Sequence, residues 1–330
     1  MDIKDKLKNG NIINSNQNVK SLRENIELEK IKSISYEELI SSTLNPMEYI
    51  LYPWLPTQGI AFIYASTGVG KTLFTLNVAY AIAGGGTFLK YKCPKPRKVL
   101  YIDGEMAFNQ VHSRFMDVVK QQGPLYVPNM FHLLTPDKIL PYKLPKICDH
   151  NGQEFYNNFI KNNGIEVLVI DNLSMLSAID ENNSEQWKII QDWLIHLRSI
   201  GITTLIVHHS GKDIKGYRGT SRMMDCADTA ISLQPLAEDN LENENINIRK
   251  FKIIYSKARS FGGTDSLPLE VSLSSDGWGF QSIEKTNLDF VVERMNIKVA
   301  QKDIASELGK SRPYINKLVQ KARKLGLIID

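Results

Sequence analysis

The 330-residue sequence predicts an α/β fold, a mostly parallel twisted sheet flanked by helices, followed by a small all-α helix-turn-helix unit. Three observations carry this. From about Pro46 onward short apolar runs alternate with helical stretches, as strands buried on both faces do. One of those runs, IAFIY, passes through a glycine-containing turn straight into a helix of small residues. Near the end, residues 298–325 combine apolar positions at helical spacing with a dense basic face.

Taken in order, residues 1–31 are rich in Asn, Lys and Glu and read, with the stretch up to residue 45, as a polar arm that buries little. Strands are predicted over residues 60–64, 99–102, 131–134, 167–170, 204–207, 229–233, 251–255 and 269–273, each a short apolar or β-branched run. Residues 72–83 are small and apolar and stop at Gly84, Gly85 and Gly86, a helix with its terminator. Residues 184–198 carry Trp187, Ile190, Trp193, Leu194 and Leu197 on one helical face, best explained as core. Residues 236–249 (LAEDNLENENINIR) form an acidic insert expected to loop between two late strands. The body of the fold is expected to span residues 46–283 and the terminal helical unit residues 284–330.

Charge adds a division. Lys and Arg number 40 against 36 Asp and Glu, a formal +4. Residues 298–325 alone hold eight basic and two acidic residues, so the remaining chain, with 32 basic and 34 acidic, is near neutral. The positive excess is a property of the C-terminal unit. No run approaches the roughly 18 apolar residues of a membrane helix, and the polar start has no signal-peptide core, so no membrane partner and a cytoplasmic location are expected. Cys93, Cys148 and Cys226 are widely separated without paired spacing, and are expected to be reduced and structural.

The chemistry begins at Ala65, Ser66, Thr67, Gly68, Val69, Gly70, Lys71 and Thr72, ASTGVGKT, between a strand and a helix. Glycines at the third and first positions before the lysine let backbone N–H groups turn inward, and the following helix presents its positive end. Lys71 would reach the terminal phosphates of ATP and the Thr72 hydroxyl would hold Mg²⁺. The loop opens on Ala65 where glycine is usual. VLVID ends in Asp171, a carboxylate at a strand end from which the Mg²⁺ shell can be held opposite such a loop. In VLYIDGEM, Glu105 lies just past a strand end and could orient and deprotonate a water; Asp103 competes, although it has the position of a turn residue.

TTLIV runs into His208 and His209. Neighbours on a strand point to opposite faces, so the pair cannot easily share a metal, and one of them could instead sense phosphate and pass its state to the following loop. After KFKIIY, Lys257 and Arg259 are spaced to project to one side. They form either a solvated basic turn or a pair reaching the nucleotide of a neighbouring subunit, and local spacing does not decide between the two.

In the C-terminal stretch, Ile315, Leu318, Val319, Ala322 and Leu325 form one stripe expected to pack on Ile304, Ala305 and Leu308, with a further helix over residues 288–297 in front. Ser311 suits an N-cap and Pro313 the first turn. Arg312, Tyr314, Asn316, Lys317 and Lys321 occupy the opposite side, with the side chains that contact phosphates and base edges. A basic solvated hairpin is the alternative. DIASELGKSRPYINKLVQKARKLGLI resembles winged-helix domains, without room for a full wing before Asp330.

The series ASTGVGKT, YIDGEM, LVIDNLSML, HHSGKD with RGTSR, and SKAR resembles the RecA-like ATPases, closest to the plasmid-type hexameric replicative helicases, over residues 48–283. That resemblance implies a RecA-like P-loop NTPase fold, ATP and Mg²⁺ as cofactors, Lys71 and Thr72 at phosphate and metal, Glu105 as base and Asp171 as ligand of a metal-bound water. It makes His209, or His208, the phosphate sensor and Lys257 with Arg259 a pair acting across a subunit interface. It places single-stranded DNA in the channel of a homo-oligomeric, hexameric ring, against residues 174–184 and 210–222, where Lys212, Lys215, Arg218 and Arg222 would meet phosphates. The implied activity is a plasmid- or phage-type DNA helicase; an ATP-switched DNA-binding regulator and a recombinase-like filament former are the alternatives.

Overall fold

The computed structural model describes residues 33–43, 46–177, 184–209, 224–236, 249–274, 277–283, 287–324 and 326–328. The chain divides into Met1–Pro46 and Met47–Asp330. In the first, helix α1 (Tyr36–Ser41) starts on a capping box: the Ser35 hydroxyl accepts from the Glu38 N–H at 3.1 Å, and the Ser35 N–H donates to Glu38 Oε2 at 2.9 Å.

The second unit opens with strands β1 (Tyr49–Leu51) and β2 (Leu55–Pro56), an antiparallel pair. Then follow β3 (Ile60–Ala65), helix α2 (Lys71–Gly84), the small pair β4 (Thr87–Phe88) and β5 (Tyr91–Lys92), β6 (Val99–Asp103), α3 (Phe108–Gln122) and β7 (Phe131–Leu134). Next come α4 (His150–Asn163), β8 (Val167–Asp171), the short α5 (Leu173–Ser177), α6 (Ser184–Ser199) and β9 (Thr203–His209). The last strands are β10 (Thr229–Pro235), β11 (Arg249–Ala258), β12 (Leu269–Ser274) and β13 (Gly277–Ser282).

Nine strands form one sheet in the order β13-β12-β11-β10-β3-β9-β8-β6-β7. From β10 to β7 neighbours are parallel; β10 to β13 form an antiparallel meander. All eight predicted strands are present, and the fold is the expected α/β arrangement. Alternate residues of the central strands feed two cores. Ala61, Ile63, Tyr101, Val169 and Leu205 pack with α2 residues such as Phe74, Val78 and Ile82. Ile60, Phe62, Ile102, Ile170 and Ile206 pack on the other face with Tyr156 and Ile160 of α4 and Trp187, Ile190, Trp193 and Leu194 of α6. The tryptophans are core residues, as their spacing predicts. A strand covered on both faces can be apolar at every position, and β3 and β8 are buried throughout.

Helices α7 (Asn287–Asn296), α8 (Gln301–Leu308) and α9 (Arg312–Lys324) close the chain around a core of Val291, Ile304, Ala305, Ile315 and Val319. Gly309 ends α8 at φ 60°, a left-handed conformation in which its N–H reaches Ala305 O and Ser306 O. No disulfide joins Cys93, Cys148 and Cys226, and burial pushes the Cys93 and Cys226 thiols up to about 11. Among the described residues no helix is long and apolar enough to cross a membrane.

Candidate nucleotide site

The strands that end at the same edge of the parallel half of the sheet build a cleft of about 350 Å³. It is lined by Thr67, Gly68, Gly70, Lys71, Thr72 and Leu73 from the glycine loop and the start of α2, by Glu105, Met106, Gln110 and Arg114 from the β6–α3 segment, and by His209 and Arg249. Gly68 at φ 88° and Gly70 at φ 114° hold the loop in conformations that side chains resist. Gly70 immediately precedes α2, so the loop's backbone donors and the positive helix end face the same space.

Lys71 is buried and folds back on the loop, donating to Ala65 O at 2.7 Å and Ser66 O at 2.9 Å. Burial lowers its ammonium below the ordinary lysine value, opposed by the Asp171 and Glu105 carboxylates. The next residue, in the first turn of α2, reaches the end of β8: the Thr72 hydroxyl pairs with Asp171. Asp171 also accepts from the Tyr101 hydroxyl at 2.5 Å. Burial pushes its carboxyl up to about 6; the Asp103 and Glu105 charges push the same way, and the two hydroxyls oppose them. A hydroxyl and a desolvated carboxylate beside a phosphate-shaped loop are the hard oxygen donors that Mg²⁺ takes, so the residues present fit that ion.

Asp103 ends β6, and its side chain closes the turn that follows. Its Oδ1 accepts from the N–H groups of Glu105 and Met106 at 2.9 and 2.7 Å, leaving the Glu105 side chain, 57% exposed, to reach the cleft. The two histidines separate as strand alternation requires. β9 lies between β3 and β8, with His209 opposite Ala65 and His208 opposite Tyr64. His209 lines the cleft, whereas His208 is 2% exposed and does not line it, so of the two sensor candidates the fold brings only His209 to the phosphate loop.

Two further groups follow from the topology. β11 runs antiparallel across the sheet, so its first residue, Arg249, sits at the cleft, while Lys257, level with Ala230 and through it with Phe62, lies toward the opposite edge. Lys257 donates to Met224 O and Asp225 O. Arg259 donates to Asp225 O at 2.9 Å and pairs with Asp228 at 3.7 Å. Neither lines the cleft of its own chain. On α9, Arg312, Tyr314, Asn316, Lys317 and Lys321 are all exposed, while Ile315, Val319 and Ala322 are buried. Lys212, Lys215, Arg218 and Arg222 lie outside the described residues, as do residues 178–183 and the body of the acidic insert at 237–248.

Arg249, Gln110 and Arg114 line the cleft without having been sequence candidates, and a further residue outside that list touches two of the candidates. Asn172, directly after Asp171, is buried; its Nδ2 donates to Glu105 Oε2 at 2.6 Å and meets His209 Nε2 at 2.9 Å. Its only sequence signal is its place next to the strand-end acid.

A family model described as an AAA domain matches residues 27–214, more than half of the chain and all of the cleft except Arg249. Among solved structures, a KaiC-like protein from the hyperthermophilic archaeon Pyrococcus horikoshii OT3 is 13% identical with a TM-score of 0.48, covering 73% of this chain and 99% of that one. No curated protein matches the chain.

Proposed function

The chain belongs to the AAA domain family, and from that premise we propose that it is a Mg²⁺-dependent ATP hydrolase that works on DNA as a ring-forming motor of the plasmid or phage helicase type. The observation that carries the hydrolase reading is the meeting of Lys71, Thr72, Glu105 and His209 at one cleft, with Asp171 hydrogen-bonded to Thr72 behind it, from four separate strand ends. Loop N–H groups and Lys71 bind the β- and γ-phosphates, for which Lys71 exchanges the Ala65 and Ser66 carbonyls for phosphate oxygens. Mg²⁺ held through Thr72 and Asp171 would neutralise charge on the same oxygens. Glu105 takes a proton from the attacking water as its oxygen bonds to the γ-phosphorus and the bridging bond to ADP breaks. His209 senses the γ-phosphate at the end of β9, next to residues 210–222, the segment proposed to meet single-stranded DNA.

The ring reading draws on the two edges of the sheet. The cleft occupies one edge, and Lys257 lies toward the other, roughly 10 Å away along the strands at about 3.3 Å per residue, with Arg259 further along the same way. A head-to-tail contact between copies brings unlike edges together, and such contacts close into a ring where the rotation between copies closes and run on as a filament where it does not. The pair would then meet the neighbour's terminal phosphate, with Arg259 exchanging Asp228 for it.

Strand displacement and ATP turnover measured together on a forked duplex test the motor. Turnover stimulated by single-stranded DNA together with ATP-dependent separation is expected; turnover without separation would favour the ATP-switched regulator. The exposed face of α9 is assigned to duplex contact. Neutralising Arg312 and Lys317 together is expected to weaken duplex binding and reduce the slope of log affinity against log salt by about 2. An unchanged slope would remove α9 from the interface.

A further inference from the structure

Asn172 uses its whole carboxamide. Its oxygen accepts from the Met175 N–H at 3.1 Å, capping the start of α5. Its nitrogen faces Glu105 Oε2 at 2.6 Å and His209 Nε2 at 2.9 Å, two acceptors for the two protons of one amide. Those acceptors lie 3.8 Å apart, too far for a hydrogen bond to each other. The contact requires the neutral His209 tautomer with its proton on Nδ1 and a lone pair at Nε2. The amide is thus the link between the two groups, and its own position is fixed by burial and by the cap.

Resting on the assignment of Glu105 as base, we infer that Asn172 is a positioning residue: it holds the Glu105 carboxylate and the His209 imidazole in one register at the phosphate end of the cleft. It also ties both to the stretches that lead away from the cleft. Asn172 opens α5, which leads toward residues 178–183, and its partner His209 ends β9, which leads into residues 210–223. A shift of Glu105 or His209 on binding phosphate is therefore passed through one amide to the roots of both segments. A base in slack geometry loses efficiency without loss of substrate binding, since phosphate is held by the loop and Lys71.

The test compares Mg²⁺-dependent ATP turnover of the full chain with Asn172→Ser, Glu105→Gln, His209→Ala and the Asn172→Ser/His209→Ala double variant, with the thermal midpoint of each. Serine keeps a capping oxygen for Met175 but is too short to reach Glu105 or His209. Asn172→Ser is expected to lower kcat by about 10- to 100-fold with KM for ATP and the midpoint nearly unchanged, and the double variant is expected to be no worse than the poorer single one. The isosteric Asn172→Asp, which keeps the cap and cannot donate, is expected to lose kcat in the same way and serves if serine unfolds the chain. Inactive Glu105→Gln together with wild-type kcat in the Asn172 variants, or losses that simply multiply with His209→Ala, would overturn the positioning role while leaving the base in place. Full turnover in Glu105→Gln would overturn the base assignment itself, and this inference with it.

Discussion

Glu105→Gln is expected to bind ATP and Mg²⁺ normally and to lose about 10²- to 10⁴-fold in turnover, the usual contribution of a positioned general base. The change leaves an oxygen for the Asn172 amide and touches neither the loop nor Lys71, so binding and chemistry separate cleanly. The same variant tests the two-edge arrangement. Its Arg259 is intact, whereas an Arg259→Ala subunit has an intact base. Mixed, some interfaces pair a good Glu105 with a good Arg259, and partial recovery of turnover above either parent is expected. Mixtures no more active than their parents would place Arg259 in its ion pair with Asp228 alone.

Asp171→Asn is expected to make the ligand-free protein more stable and the enzyme inactive. A carboxyl raised from 3.8 to about 6 by burial carries a folding cost at neutral pH on the order of 2–3 kcal/mol. The sign follows from the proton. Below pH 4 the group is protonated folded and unfolded, and the cost is absent; it grows as pH rises from about 4 to 6 and is full above that. The amide carries no such charge and still accepts from Tyr101 at Oδ1. The gain in midpoint for Asp171→Asn over wild type should therefore widen across that window and level off above pH 6, measured by thermal melts without metal. Adding Mg²⁺ with a non-hydrolysable nucleotide should stabilise the wild type and not the variant. A gain independent of pH would show that the carboxylate is not destabilised by its surroundings.

How much of this was legible depends on whether a signal is contiguous. The phosphate loop and the strands β3 and β8 are readable because their function or their burial dictates every residue in a row. The pairs β1–β2 and β4–β5 supply strands of two or three residues, below any period, and β13, GWGFQS, has two glycines and no alternation. Alternation predicts that His208 and His209 diverge but not which face holds the cleft; that is decided when β9 inserts beside β3 and α2 packs on the Leu205 side. Spacing could put Lys257 and Arg259 on one side, yet not at the far edge, which depends on β11 being antiparallel. Asn172 was invisible because its partners are 67 and 37 residues away.

The place of β3 in the sheet sets an order of assembly. Its two neighbours are β9 and β10, so the strand that carries the phosphate loop pairs only with segments beginning at Thr203 and Thr229. By contrast, β10 to β13 pair each with the next in sequence, contacts that close quickly. During synthesis the glycine loop leaves the ribosome early and stays without a frame until about half of the chain has followed it. A chain truncated before Thr229 keeps the whole ASTGVGKT signature while lacking one of the two strands that hold it in place.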